Sequence, residues 1–593
     1  MAGFQDAQPP EPVEFERADA TGKPRVRVRE TIIGFNDPSM NEESFVSSRD
    51  GRRVAYMVMS GEEMAVVVDG TKGEVFEGIL EGSLVFSPDG KHFGYVGKRP
   101  NQQFVVLDGK TYGEYRGISK QGIVFGLGGR VGWVAARGMS QIAVIDGQES
   151  APYDGISPQG IVFSPNGKRC AYAALSGGQN LVVLDGEEGP LFDAAARFDF
   201  TARGQHLFYS ALRGIKRFAV VDTQVYGPYD DMRPNAGAVG PEAMSDVFEI
   251  SSDGSRVGFI AKRGEEWFVN VDGTESGPYS GCVGLAISPE GSRVAYLAKR
   301  DQGWFMMVNG EERPGSALQS LSFSPDGKRM ASIVKRGDKR LALIDGVEGK
   351  EYDRIEEPGI RFSPDGKHTA YLVDDAGDKL VVTDGVESPR FKRLGKTPLS
   401  FAPHGSHTLY SVRRGEREAL VIGGVEGPAV KSYRSLTFGP DGTRYAYAAE
   451  KEEDQWTVVV DGLEYGPGGK LQAGEVRAFH SLGKQTPRFS PDGKHVAWVG
   501  VGNDGWIAVV DGKESPPYNI VMRSTLDFSP DGQHFAFVAS RQGKKMIIVD
   551  GFEIENAWDG FLQKSDLIWN GSQRFSIRGA RNPRFLLIEV EIL

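Results

Sequence analysis

An all-β fold of two tandem seven-bladed β-propellers, built from fourteen four-stranded repeats of about 38 residues, is predicted by three observations. First, a turn ending in glycine recurs fourteen times at nearly constant spacing. Its clearest copies read Ser-Pro-Asp-Gly, at Ser87–Gly90, Ser324–Gly327, Ser363–Gly366, Ser490–Gly493 and Ser529–Gly532. Looser copies end at Gly51, Gly129, Gly167, Gly204, Gly254, Gly291, Gly405, Gly442 and Gly571. Second, an Asp-Gly step follows in most repeats, as at Asp69-Gly70, Asp108-Gly109, Asp345-Gly346 and Asp550-Gly551. It is degraded to Asp222-Thr223, Asn309-Gly310 and Gly423-Gly424 in three of them. Third, each repeat is too short to hold a crossover helix beside its apolar runs, so its strands must pair antiparallel.

The elements of one repeat follow in order. In residues 81–118, Leu84, Val85 and Phe86 form a short inner strand. Ser-Pro-Asp-Gly then turns the chain: proline presets φ, and glycine takes the left-handed position. Lys91–Lys98 alternates as a second strand and Phe104–Leu107 is a third; Asp-Gly closes the next hairpin, and Tyr112–Ile118 is the outer strand. A Pro-Tyr-Asp-like step marks the end of several outer strands, at Pro152–Asp154, Pro228–Asp230, Pro278–Ser280 and Pro517–Asn519. Such a sheet exposes two apolar faces and is stable only when stacked on its neighbours.

The expected domains are an N-terminal arm (1–36) with a ring-closing strand at 25–33, a first propeller (37–310) and a second (311–593). In this scheme Arg25–Ile33 supplies the outer strand of blade seven, and Glu311–Ser320 that of blade fourteen, so that no sheet edge is left open. Two other arrangements remain open: Arg25–Ile33 closing blade fourteen, with one propeller inserted in the other, and one continuous ring.

Composition narrows the function. The 593 residues include 78 glycines, 32 prolines and 39% hydrophobic residues, in keeping with many tight turns around strand-concentrated cores. A net charge of −11 disfavours a nucleic-acid partner. Met1–Glu30 is polar, no apolar stretch is of membrane-spanning length, and Cys170 and Cys282 fall at unrelated repeat positions. The expectation is a cytoplasmic protein without a membrane partner.

The Phe-Ser-Pro-Asp-Gly-Lys step of Phe86–Lys91, with aromatic-aliphatic second strands such as Val294–Leu297, resembles the WD-repeat-like propeller repeats of bacterial proteins, TolB and the prolyl oligopeptidases among them. The resemblance runs from about residue 37 to 593. It implies a propeller fold. It implies no particular activity, because the chain shows neither the export signal and helical N-terminal domain of TolB-type proteins nor the G-x-S-x-G elbow of the hydrolases.

Candidate chemistry is sparse. His92, His206, His368, His407, His495 and His534 all lie two residues after a turn glycine, one repeated structural position rather than a converging metal site. Trp267, Trp304, Trp456 and Trp506 share another position and are expected to pack between blades. No cofactor, metal or catalytic residue is identified. The notable feature is a basic pair ending the second strand: Lys98-Arg99, Lys262-Arg263, Lys299-Arg300, Lys335-Arg336 and Arg413-Arg414. With Arg233 and Arg477, in two insertions that break the period, these are the candidate partner-binding residues for a protein or peptide, acidic in character. The alternative is that neighbours such as Glu265, Glu266, Asp301, Asp338 and Glu416 balance them. The expected function is a non-enzymatic interaction scaffold; the other readings are a lyase or glycan hydrolase with a site at a channel mouth, and a regulatory subunit or inhibitor.

Overall fold

The computed structural model describes residues 12–18, 24–35, 39–195, 197–233, 247–300, 303–314, 318–357, 359–472, 475, 477–483, 486–522, 525–556, 558–562, 566–582 and 584–593. Among them the only helix is a 3-10 turn, Leu127–Gly129. The rest forms fourteen antiparallel sheets with the strand order of propeller blades. Blades 1 to 7 span residues 40–76, 78–115, 117–149, 155–188, 194–229, 231–279 and 281–314. Blades 8 to 13 span 318–348, 354–387, 400–426, 432–470, 481–514 and 520–555, and blade 14 joins 560–592 to strands from the N-terminus. The number agrees with that expected for two seven-bladed propellers.

Blade 2 illustrates the unit. Its inner strand is two short pieces, Gly78–Ile79 and Val85–Phe86, followed by Phe93–Arg99, Gln102–Leu107 and Lys110–Tyr115 in sheet order. The first turn is held by its own side chains: Ser87 Oγ donates to Asp89 Oδ1 at 2.6 Å and accepts from the His92 N–H at 2.9 Å, while Gly90, at φ 71°, donates to the Ser87 carbonyl. Ser324, Ser363, Ser490 and Ser529 repeat the hydroxyl-to-aspartate contact. At the second turn Asp108 (φ 47°) and Gly109 (φ 80°) both take positive φ, the two-residue geometry that matches strand twist.

The chain divides into two compact units. One comprises described residues within 1–59, 66–73 and 391–593; the other comprises 60–65 and 74–390. In the second unit each blade buries its face on the next. Trp133 of blade 3 is fully buried against Val96, Val105 and Tyr115 of blade 2. At blades 7 and 8, Leu297, Met306 and Val308 pack on Met330 with Leu321 and Phe323. The boundary expected at 310/311 therefore falls inside continuous packing, and the unit runs on to Arg390.

In the first unit Trp498 of blade 12 is buried with Ala448 and Val458 of blade 11. Its N-terminal strand, Pro24–Phe35, pairs with Arg584–Ile592, bringing Val28 opposite Val590 and Glu30 opposite Ile588. A further strand, Val13–Ala18, lies outside it. This corrects the expected strand exchange. Arg25–Ile33 closes blade 14, and Glu311–Pro314 completes its own blade 7 by pairing with Gly303–Val308. The reasons are local. Asn309 (φ 50°) and Gly310 (φ 82°) form the same tight turn as Asp-Gly, which returns the chain onto its own third strand. Val26 and Val28 alternate into a patch with Phe575, Ile577 and Ile588. Between them and the next turn of chain, the buried Glu30 carboxylate accepts from Arg581, Trp558 Nε1 and Asn556 Nδ2, each at 2.8 Å.

Candidate binding surface

Antiparallel order gives every blade two ends. The two tight turns lie at one, here the turn end. The hairpin between second and third strands lies at the other, the loop end, with the link into the next blade. The basic pairs stand at the loop end, as expected, and the structure gives their arginines partners the sequence reading did not name. Four of them reach a glutamate twelve residues on, in the outer strand of the same blade: Arg263 to Glu275 (2.7 and 2.8 Å), Arg300 to Glu312 (2.6 Å), Arg336 to Glu348 (2.7 Å) and Arg414 to Glu426 (2.8 and 2.7 Å). Arg137 and Arg541 do the same with Glu149 and Glu553. Arg99 instead pairs with Glu74 and lies over the Phe76 and Phe104 rings. Aromatic faces back several of these guanidinium groups, as Tyr229 and Phe268 do for Arg263 at 4.8 and 5.0 Å. The hydrogen bonds it donates to Glu275 hold the Arg263 guanidinium above its ordinary value.

The lysines behave differently. Lys262 pairs with Glu265 at 3.2 Å and approaches the Trp267 ring. Lys98 is half-buried and Lys299 and Lys335 are exposed; none of these three has an ion pair among the described residues. Arg413 lies 3.6 Å from the buried Glu418 carboxylate. The Arg233 side chain and the insertion after it, 234–246, lie outside the described residues. Arg477 is a strut of the second insertion: it donates to the Pro467 carbonyl at 2.8 Å and pairs with Glu475 at 3.3 Å. That insertion adds a strand, Gly469–Lys470, to blade 11, and its Gly468 N–H donates to Glu514 of blade 12 at 2.6 Å.

The Pro-Tyr-Asp step also acquires a mechanism. The tyrosine hydroxyls of Tyr153, Tyr352 and Tyr518 donate to Glu188, Glu387 and Glu553 at 2.8, 2.9 and 2.9 Å. The residue after the tyrosine accepts from the loop-end hairpin of the next blade, as Asp154 does from Gly177 N–H and Asp230 from Gly264 N–H, both at 2.7 Å. The tryptophans pack on the following blade, as expected: Trp267 on Cys282 and Leu285, Trp506 on the blade 13 core.

The histidine position is one structural role, and arginine shares it. At the turn end, His92, His368, His495 and His534 bond through Nδ1 to the aspartate of their own Asp-Gly turn, at 2.8, 2.6, 2.6 and 2.7 Å. His206 does so with Asp222 at 2.8 Å. Where the turn has decayed to Gly423-Gly424, His407 Nδ1 is buried without a hydrogen-bond partner among the described residues. In other repeats an arginine Nε takes the same aspartate: Arg130 with Asp146, Arg329 with Asp345 and Arg444 with Asp461, at 2.9, 2.7 and 2.9 Å. These arginines stand in the same repeat position as the histidines, two residues after the turn glycine for Arg329 and Arg444.

Among the described residues, clefts open between successive blades at the position shared by histidine and arginine. In the first unit, one of about 480 Å³ lies between blades 12 and 13, bounded by His495, Asp511, Phe528, Gly532, Gln533 and Asp550. In the second unit, one of about 710 Å³ lies between blades 3 and 4, bounded by Arg130, Asp146, Lys168, Cys170, Tyr172 and Asp185. Burial pushes the Cys170 thiol up.

These repeats define a β-propeller repeat protein. No protein-family model matches the sequence, and neither does any curated protein sequence. Among solved structures the chain is similar to TolB from Acinetobacter baumannii, with 15% identity, covering 43% of this chain and 78% of that one, at a TM-score of 0.18. It is similar also to the β-propeller domain of the Trilobed protease from Pyrococcus furiosus (13% identity, 46% and 96% covered, TM-score 0.21). A third is the Cps50 (Swd1) β-propeller domain of Myceliophteria thermophila (10% identity, 46% and 97% covered, TM-score 0.18).

Proposed function

We propose that this chain is a non-enzymatic interaction protein that offers the loop end of its blades to a partner protein in the cytoplasm. The observation that carries the reading is the placement of its two most exposed apolar side chains. Met139 is 91% exposed and Ile215 88%, at the loop-end hairpin tips of blades 3 and 5. Leu191, 42% exposed, lies on the link entering blade 5. A hairpin tip gains nothing in folding from such residues, whereas an interface core does. On the same end, Lys299 and Lys335 add cations without an ion pair among the described residues, which suits a partner with apolar and acidic groups. The arginines of the basic pairs would hold this surface in shape, each already bound to a carboxylate.

The test is capture of partners from native cell extract. Met139→Asp with Ile215→Asp should abolish capture, and Lys299→Glu with Lys335→Glu should weaken it, both without lowering the melting temperature. Capture untouched by either pair would refute the reading.

A further inference from the structure

We propose that the cleft between blades 12 and 13 is a recognition site for a guanidinium group, taken from an arginine side chain of a partner segment. The argument comes from what the chain's own arginines do in the equivalent place. Arg444 of blade 11 bonds Asp461 through Nε, lies 5.1 Å over the Phe489 ring, and donates through Nη1 to the Gly493 and Lys494 carbonyls of the next turn at 3.1 and 2.7 Å. Arg293 covers Phe323 at 4.8 Å and donates to the Gly327 and Lys328 carbonyls, both at 3.0 Å. Arg329 covers Phe362 and reaches the Lys367 carbonyl. Arg130 covers Phe163 at 5.2 Å and reaches the Lys168 carbonyl at 3.3 Å. Four repeats thus share a phenylalanine face and the carbonyl after the next turn glycine, and three of them, at Arg130, Arg329 and Arg444, add an aspartate.

Blade 12 puts His495 where those arginines stand. The imidazole keeps the aspartate contact, to Asp511 at 2.6 Å, but its ring ends short of the next turn and stacks on Phe528 with centroids 6.5 Å apart. The receptor is otherwise intact. Phe528 and the backbone of Gly532 and Gln533 occupy the positions of Phe489, Gly493 and Lys494, and all three bound the cleft. In the cleft beside Arg130 the matching Phe163 lies under the guanidinium and Gly167 against Leu127, and neither is part of the wall. Asp550 adds a carboxylate, and Arg169 of blade 4 provides the precedent for its use: its Nη1 bonds the next blade's Asp222 at 2.6 Å. Asp492 lies beside Gly532, already paired with Lys494 at 3.2 Å, and Lys513 and Glu514 on the outer strand offset one another.

Charge decides between a free ligand and a segment of a protein. Free arginine would bring its α-carboxylate to a wall holding Asp511 and Asp550, whereas an arginine within a chain brings only the guanidinium. A planar fork of donors over an aromatic face is matched by arginine and not by lysine. This inference concerns the turn end of the first unit and stands apart from the loop-end reading.

The experiment is titration of the full chain with a blocked Gly-Arg-Gly peptide, its citrulline and lysine counterparts, and free arginine, followed by calorimetry. The arginine peptide should bind at least about ten-fold more tightly than each of the other three. His495→Arg should supply the guanidinium internally and remove peptide binding, and Phe528→Leu should weaken it while keeping the wall filled. Silence of the arginine peptide on the wild-type chain overturns the assignment. So does equal binding of the citrulline peptide or free arginine, or binding that survives in H495R.

Discussion

The cleft beside His495 and the cleft beside Arg130 are built from the same repeat positions and differ mainly in how far one side chain reaches. Arg130 spans from its own aspartate to the next blade's turn, so its cleft is floored by a guanidinium and by Cys170. His495 stops at its aspartate, and its cleft runs inward to Phe528 and Gly532, with Phe535 in the place of Cys170. The difference teaches that a propeller repeat can keep its turn chemistry under either residue, because both nitrogen donors satisfy the same carboxylate. What changes is the tie between blades. Arginine at this position is a clamp across the interface; histidine is a cap that leaves the receptor open.

The largest effect should come from a site outside both clefts, which sets the scale for them. Glu30→Ala leaves Arg581, Trp558 and Asn556 without their shared acceptor in a buried site and should cost about 3–5 kcal/mol, read by chemical denaturation. A cost below about 1 kcal/mol would mean that the N-terminal strand is not needed to complete blade 14.

A smaller, local effect separates the clefts by pH. Asp492 is held at about 2, chiefly by the Ser490 hydroxyl and then by Lys494, and Asp531 is lowered chiefly by Ser529. Their contribution is fully present above the unfolded carboxylate value of about 4 and is lost as pH falls toward the folded value. The turns around the Arg130 cleft have no such group: blade 3 turns through Leu127–Gly129 and blade 4 through Asn166. Hydrogen exchange between pH 5 and pH 2 should therefore loosen 490–493 and 529–532 while leaving 126–129 and 164–167 unchanged. Uniform loosening would break the contrast.

Much of this was legible beforehand, and the reason is periodicity. The strand at Phe93–Arg99 and the turns at Ser87–Gly90 and Asp108-Gly109 follow from local rules that repetition makes redundant. The closing strand was harder. Arg25–Ile33 reads equally well against any open edge, and only Glu30, a carboxylate on a buried face, hints that particular donors await it. The glutamates that bind the loop-end arginines stood two residues after the turn glycine in one blade after another, as at Glu275, Glu348 and Glu426. Sequence proximity points instead to nearer carboxylates such as Glu265 and Asp338, whereas the outer strand returns a residue twelve positions away to the same spot. The clefts were not legible at all, since each depends on the reach of a side chain across a blade interface.

The most direct test of the claim that one repeat position sets the tie between blades is the melting temperature of the reciprocal pair Arg130→His and His495→Arg. R130H removes a ring contact and a carbonyl bond and should lose about 1–2 kcal/mol, whereas H495R should gain up to about 1 kcal/mol as its guanidinium finds Phe528 and the Gly532 and Gln533 carbonyls. Shifts of opposite sign are the predicted result; shifts of the same sign would contradict it.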